Sequence, residues 1–235
     1  MSRVAIMQPY YFPYIGYFQL MAAVDVFVLY DNIKYTKKGW INRNRILQNG
    51  KDIVFSLPLK ADSDSLDVRD RQLAETFDPS KLLHQLRGSY CQAPFFSETM
   101  DLVERVQSCE DKNLYGFLAH SIRCICSHLG LSTEIRVSSA VPIDHKLKSE
   151  EKVLAICEAV GAKTYINSIG GVDLYSRETF ERRGVALQFL RSTPFVYSQM
   201  QESFVPWLSI IDVLMFNSIA SVRAALVGNM ELVQN

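Results

Sequence analysis

With 235 residues, 48% of them hydrophobic and 21% charged, the chain can bury a full core and reads as globular rather than disordered. Twenty-five Lys and Arg against 25 Asp and Glu leave no formal net charge, which argues against general nucleic-acid binding through a basic face. No apolar run reaches the roughly 18 residues of a spanning helix, and Gln8-Pro9 comes too early for a secretory signal, so a cytoplasmic protein with no membrane partner is expected.

Val4–Met7 is a short apolar run stopped by Gln8-Pro9, which predicts a buried strand. Pro13 to Ala23 predicts a helix with proline in its first turn and Ile15, Phe18, Leu20, Met21 and Ala22 on an apolar face. Asp25–Tyr30 predicts a second strand, ending at the polar pair Asp31-Asn32. Such a strand–helix–strand unit within one sheet is parallel and right-handed. The segment beginning at Lys34 and the run Ile53–Leu59 predict a strand pair turning at Asn49-Gly50. Beyond an acidic, weakly patterned stretch from Asp62 to Asp78, helices are predicted at Pro79–Tyr90, Ser97–Ser108 and Leu114–Leu129. Strand returns at Ile135–Val137, and Glu150–Val160 predicts a helix stopped by Gly161. Thr164–Asn167 predicts strand, Arg177–Arg183 a short helix closed by Gly184, and Ala186–Leu190 strand again. Helices at Leu208–Phe216 and Ile219–Val227 finish the chain. Alternation at both ends predicts one α/β domain over residues 1–235. Its mostly parallel sheet is flanked by helices, with a helical insertion at about 79–130.

Six basic side chains and no acidic one fall between Lys34 and Lys51: Lys34, Lys37, Lys38, Arg43, Arg45 and Lys51. Trp40, Asn42 and Asn44 are interleaved with them. Arginine offers two-point contacts and lysine a mobile point charge, so the cluster suits a phosphate or carboxylate; the alternative is a solvated hairpin. Ligands of open α/β sheets bind beyond the carboxyl ends of the strands. Three such ends are expected on one edge: Gln8-Pro9-Tyr10, Asp31-Asn32, and the loop holding Gly170, Gly171 and Asp173. Gln8 needs a polar partner there. The glycines permit either close approach of a ligand or a left-handed turn, and Asp173 is either a cap or a ligand-binding carboxylate. Gln199 and Asp212 are polar insertions in an apolar stretch. An ion pair from Asp212 to an arginine of the basic segment is a candidate partnership.

Five cysteines and four histidines show no ligand spacing, so no metal is expected, and no cofactor is assigned. P-loop, G-x-G-x-x-G, H-E-x-x-H and Ser-His-Asp signatures are missing.

Several blocks together carry a resemblance. I-M-Q-P-Y-Y-F-P-Y-I-G-Y-F at Ile6–Phe18, D-V-F-V-L-Y-D at Asp25–Asp31 and G-W-I-N-R-N-R-I at Gly39–Ile46 resemble the WbqC-like family. S-L-P-L at Ser56–Leu59, G-G-V-D-L-Y at Gly170–Tyr175, Y-S-Q at Tyr197–Gln199 and F-V-P-W-L-S-I-I-D at Phe204–Asp212 extend the match over nearly the whole chain. Met7 departs from it, standing where many members carry a histidine, so that position is given no catalytic role. The resemblance implies bacterial surface-polysaccharide (O-antigen) or modified-sugar biosynthesis, with an acyl or aminoacyl group transferred to an amino group. The implied partner is a phosphate-bearing small molecule, either a nucleotide-sugar or an acyl or aminoacyl donor, aminoacyl-tRNA included. Its phosphates would meet Lys38, Arg43 and Arg45. A non-catalytic binding or scaffold subunit of a glycan-synthesis complex is the alternative, and a nucleotide-dependent ligase the third reading. The opening strand, loop and helix are also similar by analogy to nucleotide-binding synthetase domains.

Asp31 is the candidate general base, or else a structural turn residue. Gln8, Tyr10, Asn32, Lys38, Trp40, Asn42, Arg43, Asn44, Arg45, Gly170, Gly171, Asp173, Gln199 and Asp212 are the candidate substrate-binding residues. Gln8, Asp31, Asn42, Arg43, Gly171 and Asp173 are expected to gather around one cleft of roughly 300–1,000 Å³.

Overall fold

A computed structural model describes residues 2–201 and 203–234. Six strands form one sheet: β1 (Arg3–Met7), β2 (Val26–Leu29), β5 (Glu134–Val137), β6 (Thr164–Ser168), β7 (Ala186–Ser192) and β8 (Met230–Val233). Their order is β5-β2-β1-β6-β7-β8, with the first five parallel and β8 antiparallel to β7. All four residues of β2 and the centre of β1 are buried, because a parallel sheet with helices on both faces leaves its middle strands no solvated side. The order runs outward from β1 in one direction and resumes from β6 in the other. The strand direction of growth therefore reverses between β1 and β6, the place where open α/β sheets offer a crevice.

On one face, α1 (Ile15–Ala22), α4 (Leu114–Leu129) and α8 (Ile219–Gly228) cover the sheet, and α2 (Pro79–Tyr90), α3 (Phe96–Gln107) and α7 (Ile210–Phe216) pack against them. The core on that side is built from Phe18, Phe27, Phe117, Ile122 and Leu214, among others. The opposite face carries α5 (Ser149–Ala159) and α6 (Arg177–Arg182), whose Val153, Leu154, Ile156 and Phe180 pack on Val4, Ile6, Val26 and Val28. Helices α2, α3 and α4 follow one another between β2 and β5, and α4 feeds directly into β5, so it serves as that strand's crossover. Among the described residues no helix is long and apolar enough to cross a membrane.

The hairpin forms a separate two-stranded sheet, β3 (Arg43–Gln48) with β4 (Lys51–Ser56). Asn49 and Gly50 both have positive φ, +48 and +76, as a two-residue turn of this hand requires. The basic segment is strand only from Arg43 onward. Lys34 to Asn42 is loop, because Lys37-Lys38-Gly39 favours a turn, with Gly39 N donating to Thr36 O at 3.1 Å. Strand β8 is absent from the sequence prediction. It has four residues, one of them charged, and its pairing partner β7 lies about 40 positions earlier.

Candidate functional site

The ends of β2, β1 and β6 lie side by side on one edge, as the three predicted strand ends require. At β1, Gln8 has polar partners: its side-chain Oε1 accepts from the Tyr10 hydroxyl at 3.2 Å and its carbonyl from the Tyr17 hydroxyl at 3.0 Å. Burial, and then neighbouring Tyr14, raise the Tyr10 phenol above its ordinary value. At β6, Gly170 and Gly171 lie in a 3-10 turn, Ile169–Leu174, and neither has the positive φ of a left-handed turn. Gly171 is buried against a side chain of its own chain: a Cβ there would sit 2.5 Å from Asn167 Nδ2. Asp173 is exposed and caps nothing; the cap of α6 is Ser176, which accepts from Thr179 N.

Asp31 is buried at 2% exposure. Its Oδ1 accepts from Ser138 Oγ at 2.7 Å and Ser139 N at 2.9 Å, and its Oδ2 from Ser139 Oγ at 2.6 Å. Three accepted bonds tie the end of β2 to the 3-10 turn after β5, and this suits a carboxylate that holds two loops in register. Beside it Asn32, also buried, bridges three elements. Its side chain meets Ser138 Oγ at 2.7 Å and His145 Nδ1 at 3.0 Å, and its carbonyl accepts from Lys152 Nζ at 3.1 Å.

A cavity of about 840 Å³ opens along this edge. Lys34, Arg69, Lys146, Lys148 and Lys152 line it with His145, against only Asp67 and Glu150 as carboxylates. Tyr30, Ile33, Leu147, Val153, Leu174 and Tyr175 supply an apolar wall. Lys152 is nearly buried and lies over the Tyr30 ring, 5.1 Å from its centroid. Burial lowers its pKa; Asp67 and Asp31 oppose that shift and Arg69 adds to it. Ser149, the first residue of α5, has φ +48, a conformation that L side chains rarely adopt, at the wall of this cavity.

The hairpin residues are placed elsewhere. Asn42 accepts from the Tyr35 hydroxyl and donates to Leu57 O, both at 2.8 Å. Asn44 donates to the carbonyls of Tyr11 and Phe12, holding Phe12 at φ +43. Arg43 donates to the carbonyls of Gly39 and Lys38, and Arg45 pairs with Asp52 at 2.9 Å and donates to Trp207 O. Both guanidinium groups lie over Trp40, 5.6 and 5.4 Å from its ring centroid. Among the described residues Asp212 has no arginine partner. It is fully buried and accepts from Tyr90 at 2.7 Å, Tyr197 at 2.6 Å and Gln199 at 2.9 Å. Burial raises its pKa, and those three donors oppose the shift. Gln199 also clasps the backbone of Val205 through both ends of its amide. These residues build a polar scaffold, and the cavity takes only Asn32 from the candidate set. Gln8, Asp31, Asn42, Arg43, Gly171 and Asp173 do not line it. Arg69, His145, Lys146, Lys148, Lys152 and Tyr175 were not among the predicted residues. The available signal was His145-Lys146-Leu147-Lys148-Ser149, three basic or titratable groups in a loop that enters a helix from a strand's carboxyl end.

A family model described as the WbqC-like protein family matches residues 8–224. The chain belongs to the WbqC-like family. This WbqC-like chain is also similar to an uncharacterized protein of Mycobacterium tuberculosis (strain ATCC 25618 / H37Rv), Rv1507c. The two are 29% identical over 222 residues, which cover 92% of this chain and 94% of that protein. No solved structure matches. The family match takes in both the hairpin and the cavity-lining loops of the WbqC-like chain, so it does not by itself choose between them.

Proposed function

We propose that the chain is a group-transfer enzyme that binds a phosphate-bearing substrate, such as a nucleotide-linked sugar, in the cavity at the ends of β2 and β6. The supporting observation is five Lys and Arg side chains around one cavity that holds only two carboxylates. Its volume falls within the roughly 300–1,000 Å³ of small-molecule sites, and its tyrosines offer a face for a sugar or base ring. The group moved is an acyl or aminoacyl group, delivered as an activated ester or thioester. The acceptor amine forms the new bond to the carbonyl carbon. The bond to the leaving group breaks with its electron pair, and the proton lost by the amine ends on that leaving group. Surface-polysaccharide (O-antigen) or modified-sugar biosynthesis in the cytoplasm is the setting that family resemblance supports.

Isothermal titration of the isolated chain with pyrophosphate and with nucleotide-sugars tests the binding. Arg69→Ala and Lys34→Ala should each weaken it; equal affinity in both variants would remove the cavity from consideration. A second reading, a binding subunit of a glycan-synthesis complex, is favoured by one feature. Val196, Met200 and Trp207 are exposed at 66%, 48% and 57%, and Val196 and Trp207 rim a separate apolar cavity of about 310 Å³. Turnover by the isolated chain would exclude that reading.

A further inference from the structure

A second cavity, of about 310 Å³, opens where β7 ends at Ser192 and α1 begins at Ile15. Because β7 runs parallel to β6, this is the same carboxyl edge of the sheet that holds the basic cavity. Three segments set apart in the sequence meet here: Tyr14 of the Ile6–Phe18 block, Tyr197 of Y-S-Q, and Phe204 and Trp207 of the Phe204–Asp212 block. With Phe195 they give the cavity five aromatic rings. Tyr14 meets Trp207 edge-on at 5.9 Å, and Tyr197 packs against Phe195 at 5.5 Å and Phe204 at 5.1 Å, centroid to centroid. A Cβ on Gly16 would fall 2.4 Å from the Tyr14 ring, so glycine there lets Tyr14 fold back over the first turn of α1. Trp207 has φ +62, a region that bulky side chains rarely enter, and its indole is 57% exposed. Packing of the ring into the core does not account for that conformation. A wall for a bound group does.

Among the described residues no charged side chain lines this cavity, and its polar side-chain groups are hydroxyls. The Tyr197 hydroxyl is turned onto Asp212 at 2.6 Å, which leaves those of Tyr14, Ser192 and Thr193. Burial raises the Tyr14 phenol above its ordinary value, so it keeps its proton and can donate. Three hydroxyls can hold one carbonyl oxygen but not the many hydroxyls of a sugar ring, and an organic cation would find no carboxylate on the lining. We infer that the cavity between α1 and β7 binds the hydrocarbon chain of an acyl group, with the chain on the aromatic wall and its carbonyl at Tyr14 and Ser192. That this chain belongs to the group transferred rests on the proposed function; the binding of the chain does not. At roughly the 30 Å³ of a water-sized group, the volume takes an acyl chain of about ten carbons. The apolar and basic cavities then divide one sheet edge between hydrocarbon and phosphate.

The protein has two tryptophans, so Trp40→Phe leaves Trp207 as the single indole reporter, at the cavity's rim. Titrating hexanoate, octanoate, decanoate and dodecanoate into it, below their micelle concentrations, should give a saturable blue shift of the emission. Affinity should rise about fourfold for each methylene buried, up to about ten carbons, and then level off. No shift, or an affinity independent of chain length, would overturn the inference and return this face to a protein partner. Thr193→Phe, which fills the cavity from a partly exposed position, should lower decanoate affinity at least tenfold. Parental affinity in a folded Thr193→Phe protein would also overturn the inference; should that variant fail to fold, the chain-length series decides alone. Pyrophosphate titration of the same protein separates this site from the proposed reaction. Decanoate bound without pyrophosphate would sink the proposed transfer and leave the chain site. Pyrophosphate bound without decanoate would end the chain site and leave a transferase of small acyl or aminoacyl groups.

Discussion

The hairpin and the cavity both concentrate positive charge, but they use it in opposite ways. In the hairpin the charges are close in sequence and turned on their own chain: Arg43 on two carbonyls, Arg45 on Asp52, both on Trp40, and Lys37 on Asp64 at 2.8 Å. In the cavity they come from three separate segments, at Lys34, Arg69 and Lys146 to Lys152, and face one space. Sequence density of charge measures repulsion that must be relieved locally, and planar guanidinium groups relieve it by stacking and by donating to carbonyls. Convergence in space, which sequence does not display, is what makes an anion site.

The largest effect should come from breaking the cavity. Each charge-assisted bond to a phosphate contributes about 1.5–3 kcal/mol, so Lys34→Ala combined with Arg69→Ala should lower pyrophosphate affinity by about a hundredfold or more, read by titration calorimetry at low salt. A loss under threefold would mean that the convergence has no ligand. Next comes Asp31→Asn, which leaves one acceptor oxygen where three donors converge. An unmet buried donor costs about 1–3 kcal/mol, so the denaturation midpoint should fall by that order with the slope unchanged. A variant as stable as the parent would return Asp31 to the role of free base.

How much of this was legible follows from the same contrast. Strands β1, β2 and β6 could be read because Val4–Met7, Val26–Leu29 and Thr164–Asn167 are apolar runs ended by polar residues or proline, a local signal. That their ends share an edge followed from the alternation with helices. Strand β8 was hidden because Met230–Val233 is short and paired across a long gap. At the site, Asn32 is legible as a polar residue at a strand end, while nothing local marks His145, one of four histidines scattered along the chain without ligand spacing. Asp212 invited a cation, but Tyr90 and Tyr197 lie 122 and 15 positions away, and nothing local marks a phenol as a carboxylate's partner.

That carboxylate anchors the hairpin's side of the contrast, since Tyr90, which donates to it, also accepts from Leu47 N–H at 2.7 Å. Asp212 has a raised pKa in the folded state, so the folded chain holds its proton to higher pH than the unfolded chain does. Its contribution is fully present below the ordinary carboxylate value and is lost as pH rises through the folded value. Asp212→Asn, which cannot titrate, should therefore be less stable than the parent in acid, with the deficit narrowing as pH rises through that window. Denaturant melts at several pH values measure it; a deficit constant with pH would show that Asp212 does not titrate there.

The smallest effect is also the one that most directly separates the two regions. Arg43→Ala removes the bond at 2.9 Å to Gly39 O, a second bond to Lys38 O and one of two cations over Trp40. These are partly exposed contacts, and a half-exposed cation–π pair contributes about 0.5–1 kcal/mol. Arg45 still covers the ring, which limits the loss. Stability should drop by about 1 kcal/mol or less, while pyrophosphate affinity stays within about twofold at moderate salt, since the remaining field of one exposed charge is screened within about 10 Å. A tenfold loss of affinity with no change in stability would reverse the assignment: the hairpin's arginines, freed from their carbonyls, would then be reaching the ligand themselves.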